Sequence, residues 1–312
     1  MKSIIYQRYG AVEVLELADE PVPIQKDNEV LVKIKSVSLN PLDWKIRNGE
    51  LKIITGNKFP KHICCEFSGV VEKVGTRVTS FQPGEKVFGF VNPMKEGSLR
   101  EYLAVGEDSL IHKPQNISFE QAASVSITGI AALQALKNLA NAEKGQSILL
   151  NGCTGGVGMF AIQIAKQLGL NVTGVCSATT ASHARNWGCD TVLDYKKINI
   201  LNLTDRFDII LDLSAKLTFK KAKTIMKDKS IFIDPIALPT KMIAAFFYNI
   251  FSSKKHKVLF TKYTKNDLQY LTKMIEAGMK IEISKTYKIS DFKTAFSELE
   301  KGGILGKVVI NI

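Results

Sequence analysis

The chain has 312 residues, a formal net charge of +12 and a pI near 9.3, with 45% hydrophobic and 23% charged residues. That is the balance of an ordinary soluble globular protein, long enough for two domains that share an interface. Cys64, Cys65, Cys153, Cys176 and Cys189 are odd in number, include an adjacent pair and lack a C-x-x-C spacing, which argues against a disulfide framework or zinc ribbon and points to a reducing, cytoplasmic setting.

The N-terminal third reads as β-rich. Ser3–Tyr6 and Val12–Leu17 predict a first pair of strands, and Glu29–Ser38 alternates like a half-buried strand. The segments 67–74, 81–90, 98–105 and 110–113 continue the pattern, with turn signals at Gly75 and Pro83-Gly84. Short strands of this kind predict a compact, barrel-like domain. Met1-Lys-Ser-Ile-Ile-Tyr-Gln-Arg8 breaks its apolar run too soon for a signal peptide.

At Ser118 the grammar changes. Ser118-Phe-Glu-Gln121 is a capping-box pattern before an alanine-rich helix, and a second helix is predicted over 129–139. Ser147–Leu150 then reads as a buried parallel strand, Gly152, Gly155, Gly156 and Gly158 as a tight turn, and Met159–Leu168 as a helix stopped by Gly169. Strand, glycine turn and helix in that order suit a pyrophosphate: missing side chains let the backbone approach, and the first-turn N–H groups face the negative charge. A second strand over 171–176, a helix over 181–187 and a third strand over 191–194 complete a βαβαβ unit, so the turn reads as a dinucleotide site. Further strands are expected at 207–212 and 230–234 and a helix at 265–277 closed by Gly278. The tail returns to strand, helix and strand over 281–288, 290–300 and 306–312. The longest apolar region, 236–251, is interrupted by Pro239, Lys241 and Asn249 and is too short to span a bilayer.

Several segments together resemble the zinc-independent branch of the medium-chain dehydrogenase/reductase superfamily, the quinone oxidoreductases and enone (alkenal) reductases. They are Ser38-Leu-Asn-Pro-Leu-Asp-Trp-Lys-Ile-Arg-Asn-Gly49, Glu66-Phe-Ser-Gly-Val-Val-Glu-Lys-Val-Gly75, Gly84-Glu-Lys-Val-Phe-Gly89, Gly97-Ser-Leu-Arg-Glu-Tyr-Leu103, Asn151-Gly-Cys-Thr-Gly-Gly-Val-Gly158, Gly188-Cys-Asp190 before Asp194-Tyr195, and Gly306-Lys-Val-Val-Ile310. The resemblance implies an α/β chain with a partly open GroES-like β-barrel catalytic domain, 1–117 completed by 284–312, and a Rossmann doubly wound parallel sheet, 118–283. It also implies a cofactor in the cleft between them.

Zinc-dependent relatives carry a ligand cysteine where this chain has Asn40-Pro-Leu-Asp43, and Gly-His-Glu where it has Cys64-Cys65-Glu66. A catalytic zinc needs about three converging protein ligands; Cys65 and Glu66 offer two and no third is evident, so no metal is expected. At the end of the second strand, Val175-Cys-Ser-Ala-Thr-Thr180 supplies hydroxyls and no carboxylate, with His183 and Arg185 behind, which favours a 2′-phosphate and hence NADPH. The expected cofactor-binding residues are Gly155, Gly156, Val157 and Gly158 from the turn. The resemblance adds Lys45, Ser177, Thr180 and Tyr195 for the phosphates or ribose.

Without a metal, hydride addition to the β-carbon of a conjugated carbonyl or to a quinone is the accessible chemistry, since hydrogen-bond donors can hold the resulting enolate. Asn40 and Lys45 are the candidate catalytic donors, and no general acid stands out. Tyr248 and Asn249 read either as pocket wall or as core or subunit contact. The segment 236–251 with Lys254-Lys-His-Lys257 also resembles a weak peripheral membrane contact. A homodimer is expected from the resemblance. The competing readings are a zinc-dependent alcohol dehydrogenase and a cofactor-binding protein with an RNA-binding or structural role. The positive residues are scattered, with no aromatic-interleaved basic stripe, so no specific nucleic-acid partner is expected.

Overall fold

Six parallel strands form one sheet in the computed structural model, which describes residues 1–235 and 239–312. Their order is Thr191–Asp194, Asn171–Cys176, Ser147–Asn151, Phe207–Asp212, Met226–Asp234 and Lys255–Val258. Because helices cover both faces of such a sheet, its central strands carry continuous apolar runs rather than alternating. Ile148, Leu149 and Leu150 are each fully buried, and so are Ile210 and Leu211. The order reverses direction at Ser147–Asn151, the first strand of the unit, where a doubly wound sheet opens its ligand crevice.

The second sheet has seven strands. Ile283–Lys288, Lys307–Asn311, Glu29–Ser38, Glu66–Val74, Lys86–Phe90 and Leu110–His112 follow one another, and Tyr102–Gly106 also pairs with Glu29–Ser38. A small three-stranded sheet of Leu15–Asp19, Lys2–Tyr6 and Lys61–His62 accompanies it. Glu29–Ser38 is the hub of the larger sheet, because its residues Val30, Val32, Ile34 and Val37 are all buried. Each such side chain contributes about 1.5–3 kcal/mol on burial.

The chain divides into two compact units, Met1–Ile127 with Tyr263–Ile312, and Thr128–Lys262. The first unit thus extends ten residues beyond the boundary drawn at 117 and resumes 21 residues before 284. Packing accounts for the difference. The capped helix Phe119–Ala123 lies on strands Glu29–Ser38 and Glu66–Val74, and the helix Lys265–Glu276 lies against Leu110–His112. A helix belongs with the sheet that buries its apolar face, whatever the alternation of elements along the chain.

Local expectations hold in most places. Ser118 caps as predicted: its Oγ accepts from Gln121 N–H at 3.2 Å, while Gln121 Oε1 accepts from Ser118 N–H at 3.0 Å. Gly169 and Gly278 close their helices with φ of +78° and +100°, a conformation that favours glycine. The expected strand over 12–17 instead begins with a 3₁₀ turn, Val12–Val14, and the strand itself is Leu15–Asp19. The helix expected over 129–139 starts at Ser126 and relaxes into a π-turn over Ala135–Leu139. The apolar segment forms the helix Pro239–Phe251, and its first part, 236–238, lies outside the described residues.

Candidate active site

The glycine turn uses each glycine differently. Gly152 adopts φ +87°, which a side chain would strain. Gly158 lies so close to the turn that a Cβ would stand 2.4 Å from the Cys153 carbonyl oxygen. Gly155 is free of such limits: it caps Gly156–Gln167 in an extended conformation, and a Cβ there would meet only the Gly152 carbonyl, at 3.8 Å. No side chain caps this helix, so its first-turn N–H groups lack an intrahelical acceptor. Such a terminus is an anion site by construction.

The hydroxyls expected to read the second phosphate gather beside this turn. Thr154 Oγ1, within the glycine loop, is 3.0 Å from Thr180 Oγ1, and Ser177 Oγ is 3.1 Å from Thr180 Oγ1 and 2.7 Å from Thr179 Oγ1. Tyr195 joins them through its backbone, whose N–H donates to the Cys176 carbonyl at 3.2 Å, and its ring is 55% exposed. Arg185 acts on the same place. The Cys176 thiol at the strand end is held below its ordinary range, first by a hydrogen bond from Cys153, then by Thr180 and by the Arg185 charge, with burial opposing. Asp194 accepts from the Lys196 N–H at 3.0 Å, and Asp190 is bound to Lys166 at 2.8 Å. The cluster is therefore rich in donors, and these neighbouring carboxylates are already engaged.

In the other unit, the strand ends near Ser38, Glu66 and Lys307 enclose a polar network. Ser38 pairs with Glu66 on one side and Val309 on the other, which brings the three strands into register. Lys307 Nζ, almost fully buried, donates to Asn40 Oδ1 at 2.6 Å and to Glu66 Oε1 at 2.8 Å. Asn40 Nδ2 donates to the same Glu66 oxygen at 2.9 Å, and Ile127 N–H donates to Glu66 Oε2 at 2.8 Å. A buried carboxylate tolerates the loss of water only when paired in this way.

Asp43 completes the cluster. Its Oδ2 accepts from the Asn40 N–H at 2.6 Å, and its Oδ1 accepts from the Cys65 thiol at 3.7 Å. Burial raises its carboxyl to about 7, against the pull of the Asn40 N–H and Lys307, and Glu66 pushes it the same way as burial. The thiols of Cys64 and Cys65 are pushed well up by burial and by these acids, so they remain protonated core groups.

Asn40 and Lys45, the expected donors, sit on one helix and part company in role. Asn40 is the N-cap of Pro41–Arg47, 2% exposed, with both ends of its amide engaged in the buried network. It holds Glu66 and Lys307 in place. Lys45 is half-buried, with its ammonium 5.6 Å from the centre of the Trp44 ring. Tyr248 and Asn249 are used structurally: Tyr248 packs on Phe219 and Asn249 binds the His256 backbone.

Tyr263 was not found by sequence reading. Its ring lies 5.2 Å from that of Phe90, and Phe90 pairs with Glu66 across neighbouring strands. Burial first, then Cys65, Glu66 and Asp43, push its phenol far up, so it stays neutral and able to donate. Nothing in the sequence around it marks this role; only the strand pairing brings it to the acids.

Among the described residues, no group of three or more His, Cys, Asp or Glu side chains is arranged to hold a metal ion. The physical reason at Cys65-Glu66 is plain. Both Glu66 oxygens are already filled by Lys307, Asn40 and Ile127, and the Cys65 proton is retained.

Comparison with known proteins agrees with this architecture. Residues 26–115 match the family described as Alcohol dehydrogenase GroES-like domain, and 187–310 the one described as Zinc-binding dehydrogenase. The chain is 30% identical to the chloroplast envelope quinone oxidoreductase homolog of Arabidopsis thaliana, over 99% of this chain and 98% of that one. It is 30% identical to the mitochondrial NAD(P)H oxidoreductase RTN4IP1 of Bos taurus, covering 100% and 89%. Identity to the 2-methylene-furan-3-one reductase of Solanum lycopersicum is 32%, covering 100% and 79%. The solved quinone oxidoreductase of Coxiella burnetii superposes with a TM-score of 0.92 at 29% identity, covering 100% and 99%. With a GroES-like sheet, an inserted Rossmann unit and relatives that match from end to end, the chain belongs to the quinone oxidoreductase branch of the medium-chain dehydrogenase/reductase superfamily.

Proposed function

We propose that this protein is an NADPH-dependent oxidoreductase that delivers hydride to conjugated carbonyls or quinones without a metal. The observation that carries the reading is the Lys307 ammonium, which fills the Glu66 carboxylate that a metal would need. Reduction of a simple ketone without a Lewis acid is slow, whereas a conjugated acceptor spreads the incoming charge onto its oxygen. The names of the Arabidopsis, cattle and tomato relatives support an oxidoreductase that uses a nicotinamide cofactor and a small-molecule acceptor.

The turn residues Gly155, Gly156, Val157 and Gly158 would hold the pyrophosphate, since Gly155 leaves its approach open and the helix behind it lacks a cap. Ser177, Thr180 and Arg185 would hold the 2′-phosphate, with Tyr195 beside them. A bound nicotinamide supplies the hydride. The chain's own part is to orient the acceptor and offer a proton or hydrogen bond to its oxygen. Tyr263 Oη is the first candidate, as a neutral hydrogen-bond donor, because burial first and the neighbouring acids next keep its proton in place. Lys45 is the second. Loss of one such hydrogen-bond donor to a developing oxyanion costs about 10²–10³-fold.

The test follows NADPH oxidation at 340 nm against a panel of enones, enals, quinones and saturated aldehydes. Conjugated acceptors react, saturated aldehydes hardly do, and a chelator changes nothing. Loss of activity with chelator, restored by zinc, would overturn the reading.

A further inference from the structure

Three of the five free cysteines converge within the six-stranded unit. Gly174 faces the same side of the strand Asn171–Cys176 as Cys176 does, since side chains alternate along a strand. A Cβ on Gly174 would stand 2.7 Å from Cys153 Sγ and 2.8 Å from Cys189 Sγ. Any other residue there would have to displace both sulfurs. The backbone draws Cys153 towards Cys176 as well: the Gly152 and Cys153 N–H groups both donate to the Val175 carbonyl, at 2.9 and 3.1 Å. Residues joined in this way approach the Cα separation of about 4.4–6.8 Å that a disulfide spans.

The three thiols differ in what surrounds them. Cys189 Sγ lies 3.1 Å from the Thr191 carbonyl oxygen and 3.4 Å from that of Val172, and burial pushes its thiol up to about 11, so it keeps its proton. Cys153 is fully buried and donates to Cys176, and that bond, with burial, pushes its own thiol far up. Cys176 accepts this bond and one from Thr180, and the Arg185 charge adds to them against burial and Asp194. Cys176 is therefore the sulfur that ionises first, and the thiolate is the form that attacks. It is 3% exposed, but the chain opens to solvent directly after it: Ser177 is half-buried, and Ala178 and Thr179 are exposed.

We propose that Cys153 and Cys176 are a dithiol that hydrogen peroxide converts reversibly to a disulfide, drawing the glycine turn onto the strand end. The Cys176 thiolate attacks one peroxide oxygen; an S–O bond forms, the O–O bond breaks, and the departing hydroxide takes a proton and leaves as water. The Cys153 sulfur then attacks the sulfenic sulfur and gives its proton to the leaving hydroxide, so an S–S bond forms and a second water departs. The two thiols together lose two electrons, and the peroxide is reduced to two waters. The sulfurs close to about 2.05 Å, and Cys153 carries with it Thr154, whose Oγ1 is 3.0 Å from Thr180 Oγ1. The consequence for function rests on the reading of this turn as the NADPH phosphate site: oxidation weakens the hold on the cofactor.

The experiment is peptide mapping of the full chain by mass spectrometry. Trypsin leaves the three cysteines on separate peptides, 145–166, 167–185 and 186–196. After treatment with hydrogen peroxide and alkylation, a link between the first two is expected, and dithiothreitol removes it. Cys176→Ser should abolish the link, Cys153→Ser should leave Cys176 as a sulfenic acid that dimedone captures, and Cys189→Ser should change neither. In the oxidised wild-type protein the dissociation constant for NADPH should rise about tenfold or more and return after reduction. Wild-type protein that forms no link overturns the proposal, as does a link that uses Cys189. An unchanged dissociation constant beside a complete link overturns the effect on the turn. Reduced protein with no affinity for NADPH would instead sink the functional reading, while the peptide map still decides the disulfide.

Discussion

The polar cluster around Glu66 and the hydroxyl cluster around Thr180 solve opposite problems. At Glu66 every charge is withdrawn from water, and every described polar group has found a partner inside the protein. At Thr180 the hydroxyls touch one another, Tyr195 projects into solvent, and the neighbouring helix is left uncapped. Charges shut away must be matched before any ligand arrives, because an unpaired buried charge is too costly. The hydroxyls at Thr180 bond to one another and to a nearby carbonyl, at a place that water reaches, so their partners can be exchanged at little cost. The first cluster is closed by its own charges, and the second is left open to solvent.

The largest expected effect breaks the closed cluster. Lys307→Met leaves Glu66 and Asn40 without their common cation and should cost about 3–5 kcal/mol of stability, read as a large fall in melting temperature; a change below about 1 kcal/mol would mean that water enters the network. Next, Tyr263→Phe should lower kcat on an enone by about 10²-fold while leaving the dissociation constant for NADPH, measured by fluorescence titration, unchanged.

The open cluster is sharpened by two glycines that differ only in their surroundings. Gly155→Val should melt like the parent protein yet bind NADPH roughly tenfold more weakly or worse, whereas Gly158→Ala should lose stability through its clash with Cys153. Equal behaviour of the two in calorimetry would erase the distinction. Ser177→Asp should weaken NADPH by about tenfold and leave NADH nearly untouched, because only one of them carries the 2′-phosphate.

The smallest effect concerns pH. The Asp43 carboxyl titrates near 7 in the fold and near 3.9 in an unfolded chain. The folded state thus binds the extra proton between those values. Asp43 contributes most stability below about pH 4, and that contribution is lost as pH rises towards about 7. Asp43→Asn, a mimic of the protonated acid, should flatten the dependence of melting temperature on pH between 5 and 8, by a few °C.

The dinucleotide turn was legible in the sequence because its parts are contiguous: strand, glycines and helix occupy residues 147–167, and local rules govern each. The hydroxyl pocket was legible for the same reason, one strand further on. The Glu66 cluster was not, since Lys307 stands 241 residues from Glu66 and meets it only through strand pairing. Asn40 was read as a donor to substrate from its motif alone; the buried ammonium beside it is what turns it inward. The compact units divide the chain at other points than the alternation of elements suggests, for a related reason. Helical grammar at Ser118 and 265 says nothing about which sheet each helix will cover.

The strand Lys307–Asn311 has a consequence for how the molecule is made. It pairs with the end of Glu29–Ser38, at Ser36–Ser38, and carries the cation that neutralises Glu66. On the ribosome, the parallel six-stranded unit emerges whole while the antiparallel one still waits for this strand. Until it arrives, a nascent chain displays unpaired backbone at Ser36–Ser38 and an uncompensated carboxylate, the kind of surface that holdase chaperones bind.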